Sequence, residues 1–193
     1  MNEKRLFIPI LLGTNRKDRE SEKAARWVFS TMEERDEIET HFFDVRDFDM
    51  PSDDYGTPIK HLFPEWRDAI RRADGLVIVT PEYNHGYPGI LKSVLDTLLE
   101  EYIHKAVAVV GVSAQVWGGT RVIEALLPTF RELGLVTTFT DLNFPRVRSA
   151  FEENGDPVDV GTDKRVQGFL DEIVWMAKAL RWGRENLPSK YDL

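Results

Sequence analysis

Val77-Ile-Val-Thr-Pro-Glu-Tyr-Asn-His-Gly-Tyr-Pro-Gly-Ile-Leu-Lys-Ser-Val-Leu-Asp96 joins an apolar run, a polar loop and an amphipathic repeat with no spacer between them. Residues 76–79 are continuously apolar, as in a strand covered on both faces by helices, and Pro81 stops the run. From Pro88 the period changes: Ile90, Leu91, Val94, Leu95 and Leu98 share one face of a 3.6-residue repeat. Pro88 suits the first helical turn, where a missing N–H costs nothing. Residues 82–87 therefore form a loop at the carboxyl end of a buried strand, where open α/β sheets bind their ligands.

The same alternation extends to both sides. Residues 6–12 are an apolar run closed by Gly13, and a polar loop over 14–20 leads to a helix. Ala24, Ala25, Val28, Phe29 and Met32 share its inner face, and Ser21 or the residues before it can cap it. Residues 38–44 read as the second strand. Residues 46–64, rich in Asp, Pro and Gly, read as a long loop suited to act as a lid. A short helix over 65–73, with Trp66, Ala69 and Ile70 inward, returns the chain to the central strand. Beyond the central helix come a fourth strand (106–112), a loop (113–119), a helix (120–133) stopped by Gly134, and a fifth strand (135–142). Residues 144–161 are irregular and acidic, and a helix over 163–181 closes the chain.

Five strands alternating with five helices predict an α/β fold: a doubly wound parallel sheet with helices on both faces. One domain over residues 1–182 and a C-terminal tail over 183–193, extended and able to reach a neighbouring subunit, is the expected organisation.

The chain of 193 residues carries 25 basic and 33 acidic side chains, a net charge of −8, which argues against nucleic acid as a partner. It has no cysteine, which removes disulfides, thiolate metal sites and thiol catalysis and fits a reducing compartment. The N-terminal apolar run is far shorter than the ~20 residues that span a bilayer. No signal peptide, membrane span or membrane partner is predicted, and the expected location is cytoplasmic. Five tryptophans and eleven phenylalanines are many for one core, so self-association is expected. No Ser-His-Asp or Cys-His arrangement is present. His85 is a lone loop histidine, so neither a catalytic triad nor a metal site is predicted.

Two further loops complete the carboxyl edge. Gly13-Thr-Asn-Arg-Lys-Asp-Arg-Glu-Ser21 places hydroxyls and a guanidinium ahead of a helix N-terminus, where unpaired N–H groups and the dipole favour an anion. Arg16 can grip a phosphate through its planar fork, with Thr14 and Ser21 donating hydroxyl hydrogens. The loop lacks both G-x-G-x-x-G and the P-loop pattern, which favours a monophosphate. The carboxylates of Asp18 and Glu22 require compensation there from Lys17 or Arg19. In the other loop, Ser113 precedes Gly118-Gly119, which lets backbone approach a flat ring closely.

Pro81-Glu-Tyr-Asn84 followed by Pro88-Gly89 resembles, position by position, the flavin loop of the NADPH-dependent FMN reductase family. Gly13, Thr14, Arg16 and Ser21 are similar to that family's Gly-Ser-x-Arg phosphate loop, with Thr14 in place of the usual Ser. The resemblance implies a flavodoxin-like five-stranded sheet of order 2-1-3-4-5, with FMN at the switch point between strands one and three. It implies an FMN-dependent NAD(P)H oxidoreductase that passes hydride via flavin N5 to a small-molecule acceptor: a quinone, a flavin, an azo compound or a metal oxyanion. Thr14, Arg16, Ser21, Pro81, Glu82, Tyr83, Asn84, Ser113, Trp117, Gly118 and Gly119 become the expected FMN contacts. Backbone N–H groups of Tyr83 and Asn84 are expected to face the ring, and Glu82 to order the loop or bind the ribityl chain. No side chain is required as a catalytic acid. NADPH or NADH is the implied donor, with Lys17 or Arg19 available to a 2′-phosphate, and a homodimer or homotetramer is the implied assembly. The alternative is a flavodoxin-type electron carrier that binds FMN through the same loops without oxidising NAD(P)H. The basic phosphate loop and the Pro-Glu-Tyr-Asn signature favour the reductase.

Overall fold

The strand expected over residues 6–12 is interrupted at Pro9, which has no N–H to give to a ladder. In the computed structural model, which describes residues 4–191, it forms β1 (Leu6–Phe7) and β2 (Ile10–Leu12). The second strand breaks at the same level into β3 (Ile38–Glu39) and β4 (Phe42–Asp44), where Thr40 Oγ1 donates to Ile8 O at 2.8 Å. Between them runs α1 (Ser21–Glu33). The chain continues through α2 (Pro64–Arg72), β5 (Gly75–Pro81), α3 (Gly89–Asp96), β6 (Lys105–Val112) and α4 (Thr120–Glu132). It ends with β7 (Leu135–Thr137), β8 (Leu142–Phe144) and α5 (Thr162–Asn186).

Among the described residues the named strands pair in parallel throughout. β2 lies between β4 and β5, with Ile10 opposite both Phe42 and Val77, and β6 follows β5. Taking the broken strands as wholes, the order is 2-1-3-4-5, the flavodoxin-like order. The fifth strand differs from the unbroken run of 135–142. β7 pairs Lys105 to Val107 and β8 pairs Val110 to Val112, while the residues between them loop outward and leave Phe139 91% exposed.

The continuous apolar runs are explained by burial on both sides: each residue of β5 and β6 is buried. One core joins the sheet to α1 and α5 through Val28, Met32, Phe169 and Ile173. The other joins it to α2, α3 and α4 through Trp66, Leu95, Leu126 and Phe130.

Two expectations change here. Residues 46–64 do not form a lid. Phe48, Ile59 and Phe63 are buried in the second core, and Phe48 packs edge-on to Trp66 at 5.9 Å, because this stretch brings apolar side chains that a loose flap would leave in water. The last helix runs to Asn186, so the first part of the expected tail is helical, and residues 192–193 lie outside the described residues, as do 1–3. Arg181 and Arg184 explain the extension. Both reach the buried carboxylate of Asp74, which also accepts from Phe7 N–H at 3.0 Å. Among the described residues no helix is long and apolar enough to cross a membrane.

Candidate functional site

The carboxyl edge of the sheet is extended by single backbone bonds beyond the strands, and these fix the loops side by side. Gly13 N–H donates to Val79 O at 2.8 Å, Glu82 N–H to Val112 O at 2.8 Å and Ser113 N–H to Phe144 O at 3.1 Å. Val147 N–H donates back to Ser113 O at 3.1 Å. Between the loops lies a cleft of about 460 Å³. Its walls come from residues 16–21, 81–83, 112–114 and 147–148.

Thr14 is fully buried at the base of the first loop. Its Oγ1 lies 3.1 Å from Tyr83 OH and accepts from Arg16 N–H at 3.3 Å, so it joins the first two loops and does not line the cleft. Arg16 is exposed, with its guanidinium 5.7 Å from the centroid of the Tyr83 ring. Ser21 is not a cap: the helix has no side-chain cap, and Ser21 Oγ is buried with no hydrogen-bond partner among the described residues. A buried hydroxyl in that state is costly unless a ligand or water completes it.

Arg19 is committed elsewhere. Its side chain is 2% exposed and pairs with Asp44 and, at 3.2 Å, with Glu22. It therefore neutralises the Glu22 carboxylate, as the sequence required, but has no fork left for a 2′-phosphate. Burial pushes the Asp44 carboxyl up, and hydrogen bonds from Arg19 and from Arg46 N–H more than offset this, holding it below the usual carboxylate range.

The second loop is a tight turn. Tyr83 N–H donates to Gly86 O at 2.9 Å and Gly86 N–H returns to Tyr83 O at 3.0 Å. Asn84 and His85 both hold positive φ, 51° and 67°, as in a two-residue I′ hairpin. Tyr83 N–H is thus consumed within the turn and cannot face a flavin; Asn84, at the exposed tip, keeps that possibility. Pro81 ends β5 against the cleft. Glu82 lines the cleft with its side chain 6% exposed; Oε1 accepts from Arg121 Nε at 2.8 Å, and Oε2 is buried without a partner. Tyr87 turns away, its OH 3.2 Å from Thr129 Oγ1, and packs on the second core.

In the third loop Ser113 lines the cleft, with its hydroxyl donating to Gln115 O at 2.8 Å. Trp117, Gly118 and Gly119 do not line it. Trp117 is 59% exposed beside Arg121, whose guanidinium lies 5.5 Å from its ring centroid. The glycines are required by the loop's own approach to β6. A Cβ on Gly119 would stand 2.6 Å from Val112 N, and one on Gly118 would meet Asn143 at 2.9 Å. Their φ values are 84° and 61°.

Two residues carried no motif: Arg121, the second residue of α4, and Arg148, in a short 3₁₀ turn over Val147–Ser149. The only available signal for Arg148 was a basic residue just past the carboxyl end of a strand. Glu20 lies 3.0 Å from Lys23, so with the ion pairs among the described residues set aside the cleft has three unpaired cations, Arg16, Lys17 and Arg148, and one unpaired carboxylate, Asp18. A chain of net charge −8 thus presents a positive cleft, which suits a phosphorylated ligand.

The sequence model of the NADPH-dependent FMN reductases matches residues 8–147. An NAD(P)H-dependent FMN reductase of Schizosaccharomyces pombe is 29% identical over 90% of this chain and 82% of its own. A 2-hydroxy-1,4-benzoquinone reductase of a Burkholderia species is 28% identical over 86% of this chain and 93% of its own. Among solved structures, FerB, a flavoenzyme NAD(P)H:(acceptor) oxidoreductase from Paracoccus denitrificans, superposes with a TM-score of 0.73 at 26% identity, covering 90% of this chain and 98% of that one.

Proposed function

The chain belongs to the NADPH-dependent FMN reductase family, and from that premise we propose that it oxidises NAD(P)H and reduces a small-molecule acceptor of the quinone class, with flavins, azo compounds and metal oxyanions as further acceptors. FMN is its redox group and, when bound, supplies a hydride acceptor at N5 and a store for two electrons. The residues present fit that group. Ser21 Oγ is a buried donor with no protein partner, Arg16 and Lys17 are cations without carboxylates, and Glu82 Oε2 is a buried acceptor left free for a hydroxyl of the ribityl chain. We assign the phosphate to the first group and the ribityl chain to Glu82. Pro81, Tyr83 and Ser113 of the cleft, with Asn84 beside them, would hold the ring. Arg121 holds the Glu82 carboxylate in place, and Thr14 holds the Tyr83 hydroxyl. No side chain of the cleft is needed as a general acid. The chain's contribution is position, exclusion of water and donors.

The observation that carries this reading is Ser21 Oγ, orphaned and buried in a positive cleft of an acidic chain. The Burkholderia relative, by its name a quinone reductase, supports the acceptor class. A cytoplasmic location and a homodimer or homotetramer complete the proposal. The absence of cysteine supports the first, and Trp175 and Trp182, 65% and 59% exposed on α5, support the second. The test is the absorption spectrum after FMN addition and desalting, followed by anaerobic NADPH, then NADH, then a benzoquinone. Flavin bands that persist, bleach with a nucleotide and recover with the quinone are expected. Bands that persist without bleaching would establish an electron carrier instead.

A further inference from the structure

Resting on the flavin reading above, we propose that Arg148 is a phosphate ligand of the cleft, delivered from beyond the fifth strand to a cradle whose other members all lie between Arg16 and Ser21. Its backbone is fixed by the two residues before it. Arg146 N–H donates to Gln115 O at 3.0 Å and Val147 N–H to Ser113 O at 3.1 Å, while the Val147 side chain is buried in the α1 and α5 core. The turn is also close to the start of the first helix. Trp27 of α1 meets Phe144, the last residue of β8, edge-on at 6.0 Å, and the cleft is lined by Ser21 and Arg148 together. The backbone there delivers the exposed Arg148 side chain to the cleft.

Arg148 is also uncommitted. Three arginines from other parts of the chain are in use: Arg165 pairs with Asp159 at 2.9 Å, Arg19 with Asp44, and Arg121 with Glu82. Among the described residues Arg148 has no carboxylate and no carbonyl partner, although it lines the cleft. The charge count needs it. Arg16 and Lys17 against Asp18 leave a single positive charge, whereas a phosphate monoester carries about −1.5 to −2 near neutral pH. Arg148 brings the cleft to balance, and its planar fork suits two phosphate oxygens at once.

FMN and riboflavin differ by that phosphate alone, so titrating both by flavin fluorescence on the full chain isolates the contact. Arg148→Ala is expected to weaken FMN about 10- to 100-fold, the range of a charge-assisted hydrogen bond, and to leave riboflavin unchanged. Arg148→Lys should recover part of the loss, as a point charge without the fork. Arg148 is exposed, so unchanged thermal midpoints should show that the variants fold. Equal losses for the two flavins, or an FMN affinity that Arg148→Ala leaves intact, would overturn the assignment. A raised KM for NAD(P)H with FMN binding unmoved would overturn it too, moving the residue to the nucleotide. Wild-type protein with no affinity for either flavin would remove the flavin reading and this assignment together.

Discussion

Glu82 gives one carboxylate oxygen to Arg121, at 2.8 Å from both Nε and Nη2, and keeps the other buried and unpartnered. A carboxylate 6% exposed depends on its cation, whereas Arg121, 39% exposed, can rehydrate when the pair is broken. Arg121→Ala is therefore expected to lose roughly 1–3 kcal/mol of stability in urea unfolding, after allowance for the exposed partner. Glu82→Gln added to it should restore much of that by removing the stranded charge. An Arg121→Ala variant as stable as wild type would show that the pair contributes nothing.

Ser21 separates stability from binding. Because its Oγ has no partner in the protein, Ser21→Ala should leave the stability of the flavin-free chain within about 0.5 kcal/mol. FMN affinity should fall by about 3- to 10-fold. Arg16→Ala should cost more, about tenfold or beyond, since a charged donor is lost. The check is FMN fluorescence titration beside thermal unfolding of the flavin-free protein. A destabilised Ser21→Ala with unchanged FMN affinity would return the hydroxyl to a structural role.

Gly119 and Gly168 should respond in opposite directions. Alanine at 119 meets Val112 N at 2.6 Å from a backbone with φ 84°, which combines a clash with left-handed strain, and a loss of roughly 3 kcal/mol or more is expected. Gly168 sits in α5 with nothing within 4 Å of a new Cβ, so Gly168→Ala should gain roughly 0.5–1 kcal/mol. Urea midpoints of the two variants test both signs.

Lys105 makes stability rise with pH. Its Nζ caps the end of α2 by donating to Ile70 O and to Arg71 O at 2.7 Å, and burial, with Arg184 nearby, holds the amine down from 10.5 to about 7. Between these values the unfolded chain binds more protons than the folded one. Stability therefore increases with pH across the window, by at most about 1.4 kcal/mol per pH unit. Lys105→Met should lack that increment. Identical slopes for the two proteins between about pH 7 and about pH 9.5 would rule it out.

The helices and the buried strands were legible because their apolar positions repeat at 3.6 residues or run without a break. Alternation alone implied the parallel, doubly wound sheet, while the strand order rested on the family likeness of the Pro81 to Asn84 loop. Commitments between distant residues were not legible. Nothing beside Arg19 shows that Asp44, 25 residues away, occupies its fork, and nothing in Tyr83 shows that Gly86 takes its N–H. A glycine pair reads the same whether it faces a ring or, as at Gly118 and Gly119, the neighbouring strand. Arg148 was hidden for a related reason: a cation belongs to a site through the fold's return path and not through a spacing.

Asp74 gives the chain a late step in its biosynthesis. Its carboxylate is enclosed with β1 and β5, yet Arg181 and Arg184, its cationic partners, are made 107 and 110 residues after it. A nascent chain that buried Asp74 before α5 arrived would carry an uncompensated charge, at a cost of several kcal/mol. The domain is therefore expected to complete its fold only after α5 has been made, and fragments truncated before Arg181 should remain with chaperones or proteases.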